Sequence, residues 1–421
     1  MGESGYPGGY FLAMVNNDTG RYSWKLIPFM LIWAAFSIVL ALFVFTNYVV
    51  PRPRPPQQSE KTYRTVDHVG NLTEPEPLPC WYDELAKKMT KAYAEGRDLK
   101  PETEIEPAEV FMTVVVPAYN EEKRLMGMLE EAVNYLETEY GSSAVAQKLP
   151  ATAETSATPN GDVRSRKPAN GTAHAPQLRG WEILLINDGS TDGTLSVCTK
   201  FCQDHILPAL PRRMSGPWTH RSEQGVKIKP GSIRMVTLTQ NRGKGGAVTH
   251  GMRHARGQYV VFADADGASQ ITDLGKLVSA CENISDSQGR GVAVGSRNHL
   301  VGSEAVVKRS KLRNFLMHSF HLLLWVMTPP ATGRIKDTQC GFKLFSRASL
   351  PYIVPYMHTE GWIFDVEMLM LAEFAGIPVA EVAIGWREVV GSKLNVLWDS
   401  IGMAWGLAVL RFCWGVGVFR R

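Results

Sequence analysis

Two aspartates separated by one residue, Asp264 and Asp266, stand directly after a short apolar run and just before Gly267. The run, residues 259–263, has the pattern of a strand buried on both faces. Alternation along an extended backbone points both carboxylates to the same side. Two hard oxygen ligands beside a glycine turn suit a Mg²⁺ or Mn²⁺ ion that also holds a substrate diphosphate. Since a lone pair of this kind is more often a turn or a helix cap, the metal hypothesis depends on the rest of the chain.

Other strand patterns also lead into polar or glycine-rich loops that open helices. These strands are predicted at residues 111–116, 181–186, 233–238 and 292–295, and helical spacing follows at 125–140, from 195, after 247 and at 274–281. Strand, polar loop and helix in repetition are typical of an α/β, doubly wound parallel sheet, whose ligand crevice lies at the carboxyl ends of its strands. The loop Gly243-Lys244-Gly245-Gly246 suits phosphate binding, because exposed amides and the helix dipole attract anions. It is neither a Gly-x-Gly-x-x-Gly nor a Walker motif, which argues against a dehydrogenase or a P-loop kinase.

The N-terminal part of the chain predicts a membrane anchor. Residues 26–50 contain no charged residue, and about 20 apolar residues span a bilayer as a helix. A cleaved signal peptide, the alternative, would have a shorter apolar core nearer the terminus. More Lys and Arg follow the segment than precede it, which places the C-terminal bulk in the cytosol. The glycosylation sequons at Asn71, Asn170 and Asn283 would be used only if that side were lumenal.

The predicted organisation therefore has five parts. They are a mobile N-terminus at 1–25, the transmembrane helix at 26–50, a linker and peripheral segment at 51–108 with a helix at 81–94, a globular domain at 109–395 with a disordered insert at 141–180, and an amphipathic membrane-surface helix at 396–421. For the last part a short second span is the alternative. Residues 312–327 predict an interfacial helix, with core packing as the alternative.

The net charge and the cysteines indicate which class of partner is excluded and which compartment the domain faces. The net charge of +4, without a basic stripe carrying interleaved aromatics, argues against nucleic acid. Six scattered cysteines with no Cys-x-x-Cys pair indicate reduced thiols and a domain that faces the cytosol.

Taken together, the loops resemble a known family. Residues 115–122, 187–194 and 264–266 are similar to motifs of the family-2 inverting glycosyltransferases, and residues 241–247, 337–343 and 391–394 are similar to motifs of the dolichyl-phosphate β-glucosyltransferases. The resemblance covers about 110–396 without the insert. It implies a nucleotide-diphospho-sugar transferase fold and inverting transfer of glucose from UDP-glucose to dolichyl phosphate. It also implies a Mg²⁺ or Mn²⁺ cofactor and a place on the cytosolic face of the endoplasmic reticulum membrane.

The resemblance further implies roles for individual residues. The uridine pocket would be lined by Pro117, Tyr119 and Glu121, with Ile186 and Asp188 beside uracil and ribose. The diphosphate and the metal would be held by Asp264, Ala265 and Asp266, and Arg297 would lie near the reacting phosphates. Gln339 falls within a family motif, and Arg387 and Lys393 belong to a late loop that closes over the donor. Related mannosyltransferases place a metal-binding Gln where this chain has Ala268, so Ser269, Gln270 or water would complete the metal shell.

Three assignments keep an alternative. Asp365 occupies the place of a catalytic carboxylate in many relatives, but it also suits the start of a helix. Arg309 and Arg313, within a basic run, would bind the acceptor phosphate or anionic headgroups, although such runs are commonly solvated helix faces. The function itself has two alternatives, a dolichyl-phosphate mannosyltransferase that uses GDP-mannose and a catalytically dead, membrane-anchored binding protein.

Overall fold

The computed structural model describes residues 27–97, 99–101, 105–141, 178–206, 226–300, 319, 322–389 and 396–419. The described residues divide into two compact units, one with residues 27–51 and 412–419 and the other with the described residues between 52 and 411. Within the first, helix α1 (Ile27–Val44) continues as a π-helix, Phe45–Val49. Of the helices in the described part of the chain, α1 alone is long and apolar enough to cross a membrane, with a mean hydropathy of 2.5.

The second unit is built on a seven-stranded sheet. A separate two-stranded ribbon precedes it in the chain and consists of β1 (Thr62–Tyr63) and β2 (Glu76–Pro77). The strands of the large sheet are, in chain order, β3 (Val110–Ala118), β4 (Trp181–Asn187), β5 (Ile233–Thr237), β6 (Gly257–Ala263), β7 (Val292–Ser296), β8 (Phe342–Ser346) and β9 (Val379–Ala383). The order across the large sheet is β5-β4-β3-β6-β8-β7-β9. Neighbouring strands are parallel except for β8, which is antiparallel to both β6 and β7.

The five strands predicted from the sequence are therefore confirmed, and they share one direction. The prediction did not include β8 or β9. The apolar run of β8 is interrupted by Lys343, and β9, at the edge of the sheet, is only half-buried and contains Glu381.

The helices of both units complete the architecture. They are α2 (Trp81–Ala94), α3 (Leu125–Tyr140), α4 (Thr194–Ile206), α5 (Gly243–Arg253), α6 (Leu274–Ile284), α7 (Pro330–Arg334), α8 (Leu350–Ile353), α9 (Phe364–Phe374) and α10 (Val396–Gly415). The predicted helices at 81–94 and 125–140 have these same bounds. Helix α3 packs on the sheet through Leu125, Leu129, Val133 and Leu136, all without exposed surface, and burial of each such side chain contributes about 1.5–3 kcal/mol.

Helix α5 lies unusually close to the sheet. A Cβ atom on Gly251 would lie 2.5 Å from Val115 Cγ1 and 3.0 Å from Ile186 Cγ1, so only glycine allows this approach. The close contact brings the start of the helix to the carboxyl ends of β3 and β4, where the predicted site lies.

The segment predicted as a linker, 51–108, packs against this unit. Trp81 is buried and its Nε1 donates to the Met252 carbonyl of α5 at 2.7 Å. Arg64 exchanges backbone hydrogen bonds with Met235 of β5. These contacts make the segment part of the packed unit.

Several predictions fall outside the described residues. They concern the N-terminus at 1–25, nearly all of the insert (142–177), the basic run with Arg309 and Arg313, the first part of the predicted helix 312–327, and Lys393. Residues 322–327 are helical.

Buried histidines of α5 predict a loss of stability in acid. Burial lowers the pKa of His250 to about 3 and that of His254 to about 4. In the unfolded chain both bind a proton near pH 6.5, so the unfolded state holds more protons below that pH and stability falls with pH. We expect His254 alone to account for a loss of about 2 kcal/mol between pH 7 and pH 5.

The measurement is denaturant unfolding of the full chain in detergent at both pH values. His254→Gln keeps a donor for the Pro79 carbonyl, which His254 Nδ1 contacts at 2.8 Å, and should remove about 2 kcal/mol from the pH dependence. His68→Gln, at an exposed position, is the control. An unchanged pH dependence in His254→Gln would show that His254 does not lose its proton on folding.

Candidate active site

The carboxyl ends of β3 and β4 bring two of the motif loops together. Asp188 N donates to the Ala118 carbonyl at 2.8 Å. Asn120 N donates to Ser190 Oγ at 2.9 Å, and Asn120 Oδ1 accepts from Thr191 N at 2.8 Å. Asn120 has a φ of 55°, a left-handed conformation that asparagine tolerates better than most residues. The loops 119–122 and 187–194 therefore form one interlocked surface, and Tyr119, 40% exposed, lies on it.

Glu121 connects this surface to the aspartate pair through Arg124, which the sequence did not identify. Arg124 Nε and Nη2 donate to the two carboxylate oxygens of Glu121 at 2.7 and 2.6 Å. Arg124 Nη1 lies 3.5 Å from Asp266 Oδ2. One guanidinium thus bridges the predicted uridine residue and the predicted metal ligand. Helical spacing alone gave no sign of this contact, since Arg124 precedes α3.

Two of the predicted nucleotide residues are buried. Ile186 has no exposed surface and packs against α5 at Gly251. Asp188 is 3% exposed, and its Oδ1 accepts from Arg242 N at 2.6 Å. Burial raises the pKa of Asp188 to about 6, although hydrogen bonds from the Arg242 and Gly243 backbone oppose this. Asp188 therefore anchors the start of α5, and the roles of both residues beside uracil and ribose stay predictions.

Asp264 and Asp266 lie in the turn after β6 and both are partly exposed, with 33% and 25% of their side-chain surfaces accessible. Asp264 Oδ1 forms an ion pair with Lys244 Nζ at 2.6 Å. Asp266 Oδ1 accepts from Ala268 N at 3.0 Å. Burial and the neighbouring negative charge of Asp264 raise the pKa of Asp266. Ala265 between them is 4% exposed and anchors the turn.

Lys244 lies in the first turn of α5, with 15% of its side chain exposed. Burial alone would lower its pKa, but the carboxylates of Asp264 and Asp365 outweigh burial and raise it. A lysine held charged beside the aspartate pair, at the N-terminus of a helix, is suited to bind phosphate oxygens.

The motif at 337–343 needs a glycine at position 341, because the Asp264 carboxylate occupies the space of a side chain there. A Cβ atom there would lie 2.0 Å from Asp264 Oδ2. The missing side chain is therefore what makes room for the Asp264 carboxylate. Gln339 of the same motif is partly buried, and its side chain contacts Met403 in α10.

The carboxylates of Asp264 and Asp266 are suited to a divalent cation that a substrate also coordinates. Within the described ranges no cluster of three or more His, Cys, Asp or Glu could hold a metal. Mg²⁺ is commonly held by one or two carboxylates together with substrate phosphates and water, and Asp264 and Asp266 match that minimum. Burial and, after it, the charge of Asp264 raise the pKa of Asp266, and a bound cation would offset the repulsion between the two carboxylates. The backbone N of Gln270 donates to the Gly385 carbonyl at 2.9 Å, which holds the segment after the aspartate pair. A third ligand from Ser269, Gln270 or water stays a prediction.

Arg297 at the end of β7 is held by Asp337. Its Nε and Nη2 donate to the Asp337 carboxylate at 2.7 and 2.8 Å, and its backbone N donates to the same group. Its guanidinium lies 5.5 Å from the centre of the Trp386 ring. Burial would raise the pKa of Asp337, but the bonds from Arg297 outweigh it and lower that pKa. Arg297 is thus rigidly placed, with 31% of its side chain still exposed.

Asp365 begins helix α9 and is paired with Lys343, a residue that the sequence analysis did not single out. Lys343 has no exposed surface, and its Nζ contacts Asp365 Oδ1 at 2.5 Å and the Cys340 carbonyl at 2.6 Å. Burial raises the pKa of Asp365, while Lys343 and Lys244 oppose the rise. Asp365 lies in the first turn of α9, where the alternative interpretation places an N-terminal charge, while the N-cap residue is Ile363 and makes no side-chain cap. The catalytic role of Asp365 stays a prediction.

Arg387 lies beside the loop that follows the aspartate pair. Its backbone N donates to the Ala268 carbonyl at 3.0 Å, and Trp386 forms a bridge with Ser269. The late segment is therefore attached at 385–387, next to the predicted metal ligands. Pro117, half-buried in β3, borders the loops on the other side.

Comparisons with known proteins identify relatives of this chain. A family model described as Glycosyl transferase family 2 matches residues 175–329. The dolichyl-phosphate beta-glucosyltransferase of Saccharomyces cerevisiae is 35% identical over 390 residues, which cover 91% of this chain and 92% of the relative. The enzyme of that name from Mus musculus is 33% identical, covering 84% and 91% of the two chains. That from Dictyostelium discoideum is 36% identical, covering 74% and 77%.

Removing Lys343 should destabilise the protein strongly. Lys343→Met leaves the buried Asp365 carboxylate without its partner, which typically costs about 3–5 kcal/mol. The double variant Lys343→Met with Asp365→Leu should recover most of that loss, since it removes both charges. Urea unfolding in detergent measures both. Lys87→Met, at an exposed ion pair, should leave stability unchanged. Equal stability of Lys343→Met and the unaltered protein would show that the pair is not formed.

Proposed function

The chain belongs to the dolichyl-phosphate beta-glucosyltransferases, and from this premise we propose that it transfers glucose from UDP-glucose to dolichyl phosphate. The transfer inverts the anomeric carbon and gives dolichyl β-D-glucosyl phosphate for protein N-glycosylation. The observation that carries the proposal is the aspartate pair beside Lys244, at the edge of the sheet where the motif loops meet. The relatives extend over nearly the whole chain and carry one name.

The donor would bind across the interlocked loops. The surface formed by Tyr119 and the 187–194 loop would receive uridine, and the diphosphate would lie toward Lys244, Asp264 and Asp266. Arg297, fixed by Asp337, supplies a further cation on the same side of the sheet. Positively charged groups placed in advance stabilise the charge that develops on departing UDP without reorganising during the reaction.

Asp264 and Asp266 are the residues that would hold Mg²⁺ or Mn²⁺. When bound, such an ion neutralises charge on the diphosphate as it leaves. Lys244, which lies 2.6 Å from Asp264 Oδ1, would share that task. Loss of one such positioned group typically costs about 3 kcal/mol of activation free energy.

The acceptor needs little activation. A phosphate oxygen is already anionic near neutral pH, so it can attack the anomeric carbon without a strong base. The new C–O bond forms on the face opposite the UDP oxygen, and that oxygen leaves with the bonding electrons. Asp365, buried and paired to Lys343, is placed to fix the charges around Lys244, and we propose this role for it.

No observation favours either alternative function. The relatives from Saccharomyces cerevisiae, Dictyostelium discoideum and Mus musculus are named as glucosyltransferases, which supports glucose over mannose as the sugar transferred. A dead binding protein would not need the paired arrangement of Asp264, Lys244 and Arg297 that is present.

We further propose that the protein resides in the endoplasmic reticulum membrane with this domain in the cytosol. Helix α1 is apolar and fully exposed, as expected of a helix that lipid surrounds. Arg52, Arg54, Lys61 and Arg64 follow it, which supports the cytosolic side for the rest of the chain. The glycosyltransferase domain would extend over 109–395, with 396–421 on the membrane surface and Arg309 and Arg313 near the acceptor phosphate.

The activity is testable with purified full-length protein, radiolabelled UDP-glucose and a polyprenyl phosphate. With Mg²⁺ or Mn²⁺ present we expect labelled lipid, and much less or none when GDP-mannose replaces the donor. Asp266→Ala should abolish the transfer, because it removes one of two carboxylates for the ion. Glu84→Gln, on an exposed face of α2, should not change it. Equal turnover by Asp266→Ala would remove the metal from the account.

The orientation has its own test. Asn71, exposed in the structure, and Asn283 lie in sequons that stay unmodified if this domain is cytosolic. Expression in microsomes followed by endoglycosidase digestion should therefore leave the mobility unchanged. A sequon appended ahead of residue 1 serves as the lumenal control. A shift that is lost in Asn71→Gln would reverse the proposed orientation.

A further inference from the structure

Glu60 is a fully buried carboxylate far in sequence from every motif. It has no exposed surface. Gln57 N and Arg242 Nη2 donate to its Oε2 at 2.8 and 2.6 Å, and Thr239 N and Oγ1 both donate to its Oε1 at 2.8 Å. Burial would raise the pKa of Glu60, but these hydrogen bonds and the Arg242 charge outweigh it and lower that pKa. The residue is therefore a charged and fully bonded acceptor.

Arg242 connects Glu60 to the candidate active site. Its side chain, 7% exposed, donates to Glu60 and to the carbonyls of Arg54 and Pro55. Its backbone N points the other way and donates to Asp188 Oδ1 at 2.6 Å. A residue held from both sides in this way fixes the backbone immediately before Gly243 and Lys244.

Arg54 provides a second attachment. Its backbone N and Nε donate to the Glu360 carboxylate at 3.1 and 2.7 Å, and its Nη2 donates to the Asn241 carbonyl at 3.0 Å. The Glu360 carbonyl in turn accepts from Gly246 N at 3.1 Å. Farther along α5, His250 Nε2 contacts the Glu60 carbonyl at 2.9 Å. Residues 53–61, which we name the strap, thus hold both the loop before α5 and its first turns.

The fit around the start of α5 leaves little freedom. Gly243 has a φ of 76°, and a Cβ atom there would lie 2.7 Å from the Glu360 carbonyl oxygen. The backbone at 243 therefore passes too close to Glu360, which Arg54 of the strap binds, for any side chain to fit there. Lys244, one residue on, must reach Asp264 from this position.

We propose that the strap positions Lys244 for the donor diphosphate, with Glu60 and Arg54 as positioning residues; this inference rests on the proposed glucosyl transfer. Neither residue touches substrate. Both act through Arg242, Asn241 and Glu360 on the backbone that carries Lys244. Donor affinity therefore depends on a segment that directly follows the first unit of the chain and lies outside the family motifs.

The test is the steady-state kinetics of full-length Glu60→Gln with UDP-glucose and a polyprenyl phosphate. This variant keeps the shape of the side chain but removes the charge opposite Arg242. We expect the KM for UDP-glucose to rise by roughly tenfold or more, the effect of losing one hydrogen bond to a charged group. Glu60→Asp, which keeps the charge, should restore part of the donor affinity. A purely structural role would reduce the number of active molecules and lower kcat, while KM stayed unchanged.

Two further variants provide a control and a replacement for Glu60→Gln. Glu76→Gln removes a charge from the same peripheral segment, where Glu76 accepts from the Tyr63 hydroxyl, and its KM should equal that of the unaltered protein. Should Glu60→Gln fail to fold, Arg54→Gln breaks the second attachment at a site whose side chain is 43% exposed, and it should raise KM in the same direction.

The outcomes separate the two proposals. If the unaltered protein does not transfer glucose, the proposed function is wrong. If it transfers glucose while Glu60→Gln and Arg54→Gln keep its KM, the strap does not position Lys244 and this inference is wrong.

Discussion

The ion pair between Lys244 and Asp264 is the interaction on which the candidate active site depends. Asp264 and Asp266 follow one strand and place two negative charges in the same turn, an arrangement that is unfavourable without cations nearby. Lys244 reaches this turn from the start of α5, and Arg124 approaches Asp266 from the start of α3. Two helix N-termini thus supply the compensating charges at the carboxyl edge of the sheet, where a diphosphate would also find them.

Two further ion pairs lie at the site, and in each a carboxylate with little exposed surface holds a cation. Lys343 pairs with Asp365 and Arg297 pairs with Asp337. Buried ion pairs are weak evidence for stability, because desolvation offsets much of the attraction. Their value here is geometric, since each fixes a charge in advance of the reaction. The same contacts tie the antiparallel strand β8 and helix α9 to the strands that carry the motifs.

Local patterns in the sequence were sufficient to predict the strands and helices that carry the motif loops. Strand ends, motif loops and the bounds of α2 and α3 follow from apolar spacing and turn residues within short windows. The charge partners do not follow from spacing. Lys343 and Asp365 are 22 residues apart, and Glu60 and Arg242 are 182 apart. Strand alternation likewise could not show that Ile186 faces α5, because β4 is buried on both sides.

The most direct test is anomalous diffraction from crystals of the protein with UDP and Mn²⁺. The expected result is an anomalous peak coordinated by the carboxylates of Asp264 and Asp266, with the UDP diphosphate between that ion and Lys244. UDP bound in the loops with Mn²⁺ absent from the aspartate pair, or coordinated by other residues, would contradict it.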